Sequence, residues 1–361
     1  MQSGQTFSAD GGRANKRVRI VDLAEHLGLA KGTVSRALND YPDISESTRN
    51  RVRHAAERLG YRPLSHAQAI RTGRVRSLGL VLEMNEHDGH RPFVAEFLAG
   101  LSEAASTMHW TLTVATSSSE ADTLELLERL TVEHKADGFI LPRTKLDDPR
   151  ALYLRNHDIP FVLYGRTLDA RGCAWFDIEG EAAMEEAVLK LAALGHRRIA
   201  FIPGAIDYTY AKLRFEGYRS GLDAAGLHFD EALVGTQAVA RDEGGAVAGG
   251  MLDMPNPPTA IVCSVDGAAL GVYDAARQRR MRIGQDLSVI SYDGIPEANL
   301  LDPPLSTFSV DIRGAGERLA LMLIDRCRGT APEELRELAR ATFRSGGSHA
   351  PAPETTTKPS L

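Results

Sequence analysis

Residues Val18 to Asn39 read VRIVDLAEHLGLAKGTVSRALN, and this stretch decides how the chain is organised. Ile20, Leu23, Ala24 and Leu27 recur at i, i+3, i+4 and i+7, the spacing of one helical face. Gly28 predicts the stop, because glycine readily takes the left-handed conformation that closes a helix. A second short helix is expected from about Lys31, with Val34 and Leu38 as its apolar stripe. Two short helices, a glycine turn and a basic flank make a candidate helix-turn-helix.

Charge is distributed to match. The whole chain carries −6, but residues 1–76 hold 14 Lys and Arg against 7 Asp and Glu, so that segment is +7 and the remainder −13. A small basic module on a large acidic body suits a DNA-binding head on a sensing domain. At 361 residues there is chain for two or three domains. Cys173, Cys263 and Cys327 are far apart and form no C-x-x-C pair, so they read as small buried apolar residues in a reducing compartment, not as a disulfide framework or a zinc site. The opening MQSGQTFSADGGRANKR has no apolar centre, and no apolar run approaches the ~20 residues that span a bilayer. A cytoplasmic protein with no membrane partner, metal or cofactor is expected.

The run D-L-A-x-x-L-G-L-x-x-G-T-V-S-R-A-L-N resembles the headpiece of the LacI (lac-repressor) family, and the likeness continues in register to about Ser348. The resemblance implies that Thr33, Val34, Ser35, Arg36 and Asn39 belong to a recognition helix. Lys31 and Gly32 at its start would set base preference, and Arg36 would read a base edge or a phosphate. Ala30 stands where relatives usually cap this helix with Ser, and Arg19 replaces a usual Thr before the first helix. A third helix is expected from the N-cap Ser45 to about Leu59, with Val52, Ala55, Ala56 and Leu59 buried and Gly60 as its stop. Its Arg49, Arg51 and Arg53 read as a solvated face. The boundaries that follow are an arm at 1–15, a helix-turn-helix domain at 16–62, a hinge segment at 63–76, a core at 77–348 and a disordered tail at 349–361.

From Ser77 the pattern alternates between strand and helix. Strands are expected at 78–82, 111–115, 138–141 and 161–163, then at 199–202, near 233–237, at 260–262 and 288–291. Helices are expected between them and at 312–328. Such alternation predicts doubly wound parallel sheets. The fold class is therefore an all-α helix-turn-helix headpiece plus an α/β core of two doubly wound parallel-sheet lobes. The resemblance implies that the lobes form a clamshell like that of periplasmic sugar-binding proteins.

No P-loop, G-x-S-x-G elbow or other catalytic constellation stands out. His196, in Gly195-His196-Arg197-Arg198, matches a structural turn of the family. An enzyme is not expected, nor a sugar-binding module feeding a transporter, which would lack the helix-turn-helix. A ligand site is expected between the lobes, outside the carboxyl ends of the strands. Polyols are held there by planar charged groups and aromatic faces. The resemblance places Phe93, Arg166, Asp177, Tyr208, Tyr210, Arg214 and Asp266 at that site, and puts Asp293 on a family aspartate that is either structural or ligand-binding. Segments Tyr164–Thr167 and Ala174–Asp177 most resemble regulators of sugar uptake, α-glucosides among them. The implied partners are palindromic double-stranded operator DNA, a small effector, a sugar, and a second copy of the chain.

The resemblance also puts Ile70 where the family carries a leucine wedge that enters the minor groove at the operator centre. Unstacking one base step costs about a few kcal/mol, which the bend and the added contacts offset. Ile70→Ala is expected to weaken operator binding strongly while leaving salt-dependent binding to random DNA unchanged. Gel shifts on circularly permuted operators check it, and equal affinity with equal bending would remove the wedge role.

Overall fold

A computed structural model describes residues 18–61, 74–84 and 92–353, with the side chains of Pro92 and Phe93 outside the description. The expected arm, most of the hinge segment including Ile70, and residues 354–361 lie outside the described residues. The chain divides into two compact units, one ending at Val75 and the other starting at Arg76.

The first unit holds α1 (Ile20–Leu27), α2 (Lys31–Leu38) and α3 (Glu46–Leu59). Gly28 at φ +64° and Gly60 at φ +66° close α1 and α3. The Ser45 hydroxyl accepts the Thr48 N–H at 3.3 Å and caps α3. Before α1, the Arg19 N–H donates to Asp22 Oδ2 at 2.7 Å, so the third residue of the helix satisfies its entry. Ala30 gives α2 no side-chain cap. Leu23, Val34, Ala37 and Val52 are fully buried where the three helices meet.

The second unit opens with β1 (Ser77–Glu83), α4 (Pro92–Thr107), β2 (Thr111–Ser117), α5 (Glu120–Val132), β3 (Gly138–Pro142), α6 (Pro149–Asn156), β4 (Phe161–Tyr164) and β5 (Ala174–Ile178). A second lobe follows with α7 (Gly180–Ala193), β6 (Ile199–Ile202), α8 (Thr209–Ala224), α9 (Arg241–Leu252), β7 (Ala260–Cys263), α10 (Asp266–Gln278), β8 (Ser288–Asp293) and β9 (Ser306–Ser309). The chain then returns to the first lobe for α11 (Ile312–Arg328) and β10 (Arg336–Ala339), and ends in the second with β11 (Thr342–Arg344). The sheets run β10-β5-β4-β3-β1-β2 and β11-β9-β8-β7-β6. All pairings are parallel except β11 with β9. The chain thus crosses between lobes after β5, after β9 and after β10. In the first lobe, Leu319, Ala320 and Leu323 of α11 fill a core with Leu78, Leu80, Phe97, Leu101, Ile140 and Val162.

Three expectations change. The stretch 233–237 is not a strand: residues Glu231–Leu233 form a 3-10 turn, and only Val234 pairs, with Phe201. Asp230 Oδ1 accepts the Ala232 N–H and caps that turn. Gly235 then passes so close to α9 that a Cβ would lie 2.4 Å from Val247, so no side chain fits there. Strands β5, β9, β10 and β11 were not expected; β9 reads Ser-Thr-Phe-Ser and is fully buried, its hydroxyls bonded inside the lobe. Finally, residues 349–353 are held in place rather than starting a free tail. His196 Nε2 bonds the Ala350 carbonyl at 3.0 Å, the Ala350 N–H donates to Ser288 Oγ at 3.1 Å, and the Ala352 N–H donates to the Leu194 carbonyl at 2.8 Å. The three cysteines are buried thiols. Among the described residues no helix is long and apolar enough to cross a membrane.

Ser348 anchors this strap. Its fully buried hydroxyl donates to the Val289 carbonyl at 2.6 Å and accepts the Ser306 N–H at 2.8 Å. Ser348→Ala leaves both partners buried and unpaired, and is expected to cost roughly 1–3 kcal/mol, read by chemical denaturation of the full chain.

Candidate DNA-reading helix and effector cleft

In the first unit, Val34 and Ala37 turn α2 into the core, so the opposite side is left outward. Lys31, Gly32 and Arg36 are exposed; Thr33, Ser35 and Asn39 are half-buried. A Cβ built on Gly32 meets nothing within 4 Å, so the start of α2 is open ground. Asn39 Nδ2 donates to the Ser35 carbonyl at 2.6 Å and closes the last turn. Arg36 Nη1 donates to Asp43 Oδ2 at 2.6 Å, a partner the sequence pattern did not single out. Three arginines of α3 serve the headpiece itself: Arg51 donates to the Leu27 carbonyl at 2.8 Å, Arg53 pairs with Asp40, and Arg58 bonds His26.

In the second unit, the carboxyl ends of both sheets carry the expected cleft residues. Arg214, on α8, is well enclosed, its side chain only 11% exposed. Its guanidinium carbon lies 3.7 Å from the Tyr292 ring centroid and 4.7 Å from that of Tyr210. Nη1 donates to the Ser264 carbonyl at 2.6 Å and stands 3.8 Å from Asp293 Oδ1. Nε of Arg214 and Oγ of Ser264 are buried with no protein partner. Across from them, Arg166 follows β4; it donates through Nε to Asp177 Oδ2 at 2.6 Å and through Nη2 to both oxygens of Glu181 at 2.7 and 2.9 Å. Because Glu181 opens α7, Arg166 ties the first lobe to the second. Gly165 precedes it at φ +117°, and a Cβ there would lie 2.3 Å from Thr144 Oγ1. At the rim the Thr209 N–H donates to the Thr144 carbonyl at 2.9 Å, Lys145 bridges to Tyr208, and Tyr208 stacks on Tyr210.

Residues 19–64 match the family described as bacterial regulatory proteins, lacI family, and residues 188–348 match the periplasmic binding protein-like domain. The chain is 36% identical over 347 residues to the HTH-type transcriptional regulator AglR of Rhizobium meliloti (strain 1021), covering 93% of this chain and 96% of that protein. The chain belongs to the LacI family. It is 31% identical over 324 residues to the HTH-type transcriptional regulator CelR of Thermobifida fusca, covering 89% of this chain and 95% of that one. Among solved structures, the transcriptional regulator CelR–cellobiose complex aligns at a TM-score of 0.71 and 29% identity, over 92% of this chain and 100% of that one. The lac repressor dimer bound to operator and the anti-inducer ONPF shares the fold at a TM-score of 0.78 and 22% identity, over 93% of this chain and 100% of that one. This protein is therefore a DNA-binding transcriptional regulator; LacI-family regulators are not enzymes.

Within this LacI-family core, the expected site residues divide. Arg166 lies with Asp177, and Tyr208 with Tyr210 and Arg214, at the carboxyl ends of the sheets. The side chain of Phe93 lies outside the described residues. Asp266 sits behind the cleft floor: it is fully buried, its Oδ2 accepts the N–H groups of Gly294 and Ile295 at 2.8 and 3.0 Å, and its Oδ1 accepts the Thr307 hydroxyl at 2.8 Å. The turn it holds carries Asp293, at φ +124°, unusual ground for a non-glycine residue. Asp293, rather than Asp266, stands beside Arg214. Tyr292 was not expected either; a dipeptide Tyr-Asp before Gly294 was the available signal. Among the described residues no cluster of three or more His, Cys, Asp or Glu could hold a metal ion.

Enclosure dominates the acid–base behaviour here. It raises the Asp177 carboxyl against the pull of Arg166. It pushes Asp293 up to about 7, again with Arg214 opposing and the buried Asp266 adding to the rise. Tyr292 is pushed up to about 12 and stays neutral. A carboxyl raised in the folded state takes up protons that the unfolded chain, near its ordinary value of ~3.9, has released. Its stabilisation is full below about pH 4 and is lost as pH rises through about 7. Asp293→Asn is expected to remove this component, so that the melting temperature of the variant falls less than that of the wild type between pH 5 and 8. Paired thermal melts across that range check it.

Proposed function

We propose that this protein is a homodimeric repressor whose affinity for a palindromic operator is set by a sugar bound between the lobes of its core. The observation that carries the sugar reading is Arg214. A planar cation that lies against two tyrosine rings beside Asp293, with Nε lacking a protein partner, is suited to paired hydrogen bonds with vicinal hydroxyls. The CelR–cellobiose complex, similar over nearly the whole chain, supports a saccharide in this cleft. The repressor reading is supported by relatives such as the HTH-type transcriptional repressor CytR of Escherichia coli (strain K12), 26% identical over 308 residues.

In this reading Lys31, Gly32, Thr33, Ser35, Arg36 and Asn39 meet the major groove and Ile70 the minor groove. Phe93, Arg166, Asp177, Tyr208, Tyr210 and Arg214 face the sugar, and Asp266 supports them from behind. Control is linkage. A sugar that touches both lobes favours one closure, and closure sets how the two hinges meet at the operator.

Thermal shifts over a panel of α- and β-linked disaccharides identify the ligand, since excess ligand raises the melting point. Arg214→Ala is expected to abolish the response to the sugar while operator binding without it persists. Calorimetry on the purified chain, with gel shifts beside it, checks both halves; unchanged sugar affinity in the variant would move the site elsewhere. A selection from random DNA is expected to return a two-fold symmetric consensus.

A further inference from the structure

Arg36 lies in the last turn of α2 and its guanidinium is not free: Nη1 donates to Asp43 Oδ2 at 2.6 Å. Asp43 belongs to the turn at 40–43 between α2 and α3. The main chain fixes that turn. The Tyr41 N–H donates to the Arg36 carbonyl and the Ile44 N–H to the Tyr41 carbonyl, both at 3.1 Å, and the Ile44 side chain is buried in the headpiece core. Asp40, at φ +59°, pairs with Arg53 of α3. One turn thus presents two carboxylates, one to the outward helix and one to the helix packed behind it.

The Arg36–Asp43 pair is about half exposed on both sides, 49% and 50%. Exposed pairs of this kind add little to fold stability. What the pair does determine is how the guanidinium is presented. Arginine is a planar fork of five N–H donors. With Nη1 held by Asp43, the edge left to donate is Nε with Nη2. Two parallel N–H groups on one edge match the O6 and N7 acceptors of guanine. An arginine that is not held can equally serve phosphates, which carry no sequence information.

We propose that Asp43 is a specificity-determining positioning residue: it orients Arg36 toward a base edge and cancels its charge toward phosphates. This rests on the reading in which α2 enters the major groove. A carboxylate close to the DNA backbone is itself repelled by phosphates, so Asp43 weakens binding to every sequence. Only a base pair that accepts both donors of the free edge restores the loss. That is discrimination by an added repulsive element as well as an attractive one.

The test uses the full chain, its selected operator, operators with single base-pair replacements, and random-sequence duplex. Arg36→Ala first identifies the base pair at which discrimination is lost. Asp43→Asn, which keeps the shape and removes the charge, is expected to lower discrimination at that pair about tenfold. It should tighten binding to random DNA several-fold and steepen the log–log salt dependence by about one. Asp43→Glu should restore most of the discrimination. In an Arg36→Ala background, Asp43→Asn should change discrimination no further. Wild-type discrimination in Asp43→Asn overturns the proposal, as does a loss that persists in the Arg36→Ala background, because Asp43 would then act on DNA or on the turn directly. If Arg36→Ala alters no base preference, the recognition-helix reading fails and the proposal with it, whereas a failure confined to Asp43→Asn leaves that reading standing.

Discussion

A carboxylate can be buried in a protein interior only where donors surround it. Asp266 meets that condition at the start of α10, and the donors it recruits come from two other segments: the main chain after β8 and the hydroxyl of Thr307 in β9. One side chain therefore pins three neighbouring strand ends to each other. The turn it fixes puts Asp293 next to Arg214, and the same strand end puts Tyr292 under the guanidinium. The floor around Arg214 is thus fixed by contacts within the lobe itself. Replacing Asp266 by a neutral residue would loosen this floor even though the residue need touch no ligand.

The two lobes meet through contacts of a different kind. Arg166 reaches Glu181 across the boundary, Thr144 and Tyr208 bring main chain to main chain at the rim, and Arg340 pairs with Glu179 where two of the three connections run side by side. These are polar and partly solvated, unlike the apolar cores within each lobe. Contacts that water can replace cost little to break, so closure can be biased by a few kcal/mol of differential binding. The rigid part of the molecule and the adjustable part are thus made from different interactions.

The headpiece was legible almost residue by residue because its signals are local: helical spacing, two glycine stops and the Ser45 cap all act within a turn or two. Most core strands were legible for the same reason, as short apolar runs. What escaped has its cause far along the chain. Ser306-Thr307-Phe308-Ser309 looks like a polar loop, yet it is a buried strand because Asp266, His349 and Thr342 satisfy its hydroxyls. Arg336–Ala339 has the composition of a helix and becomes a strand only because β5 offers an edge. Asp266 and Asp293 both follow strands in similar local sequence, and nothing local tells the saturated carboxylate from the one left beside Arg214. Asp43 escaped because its partner lies seven residues back, across a turn.

The first lobe is not finished by its own stretch of sequence. Its core is closed by α11 and its sheet edge by β10, both contributed after the second lobe has been traversed. On a ribosome, which delivers the chain from its N-terminus, the headpiece has every residue of its core within the first 61 and can form early. The apolar face of β1, α4 and β3 has to wait for residue 312 and beyond. A nascent molecule therefore passes through a stage with a finished headpiece and a first lobe whose apolar face is still unburied, the kind of exposed surface on which chaperones act.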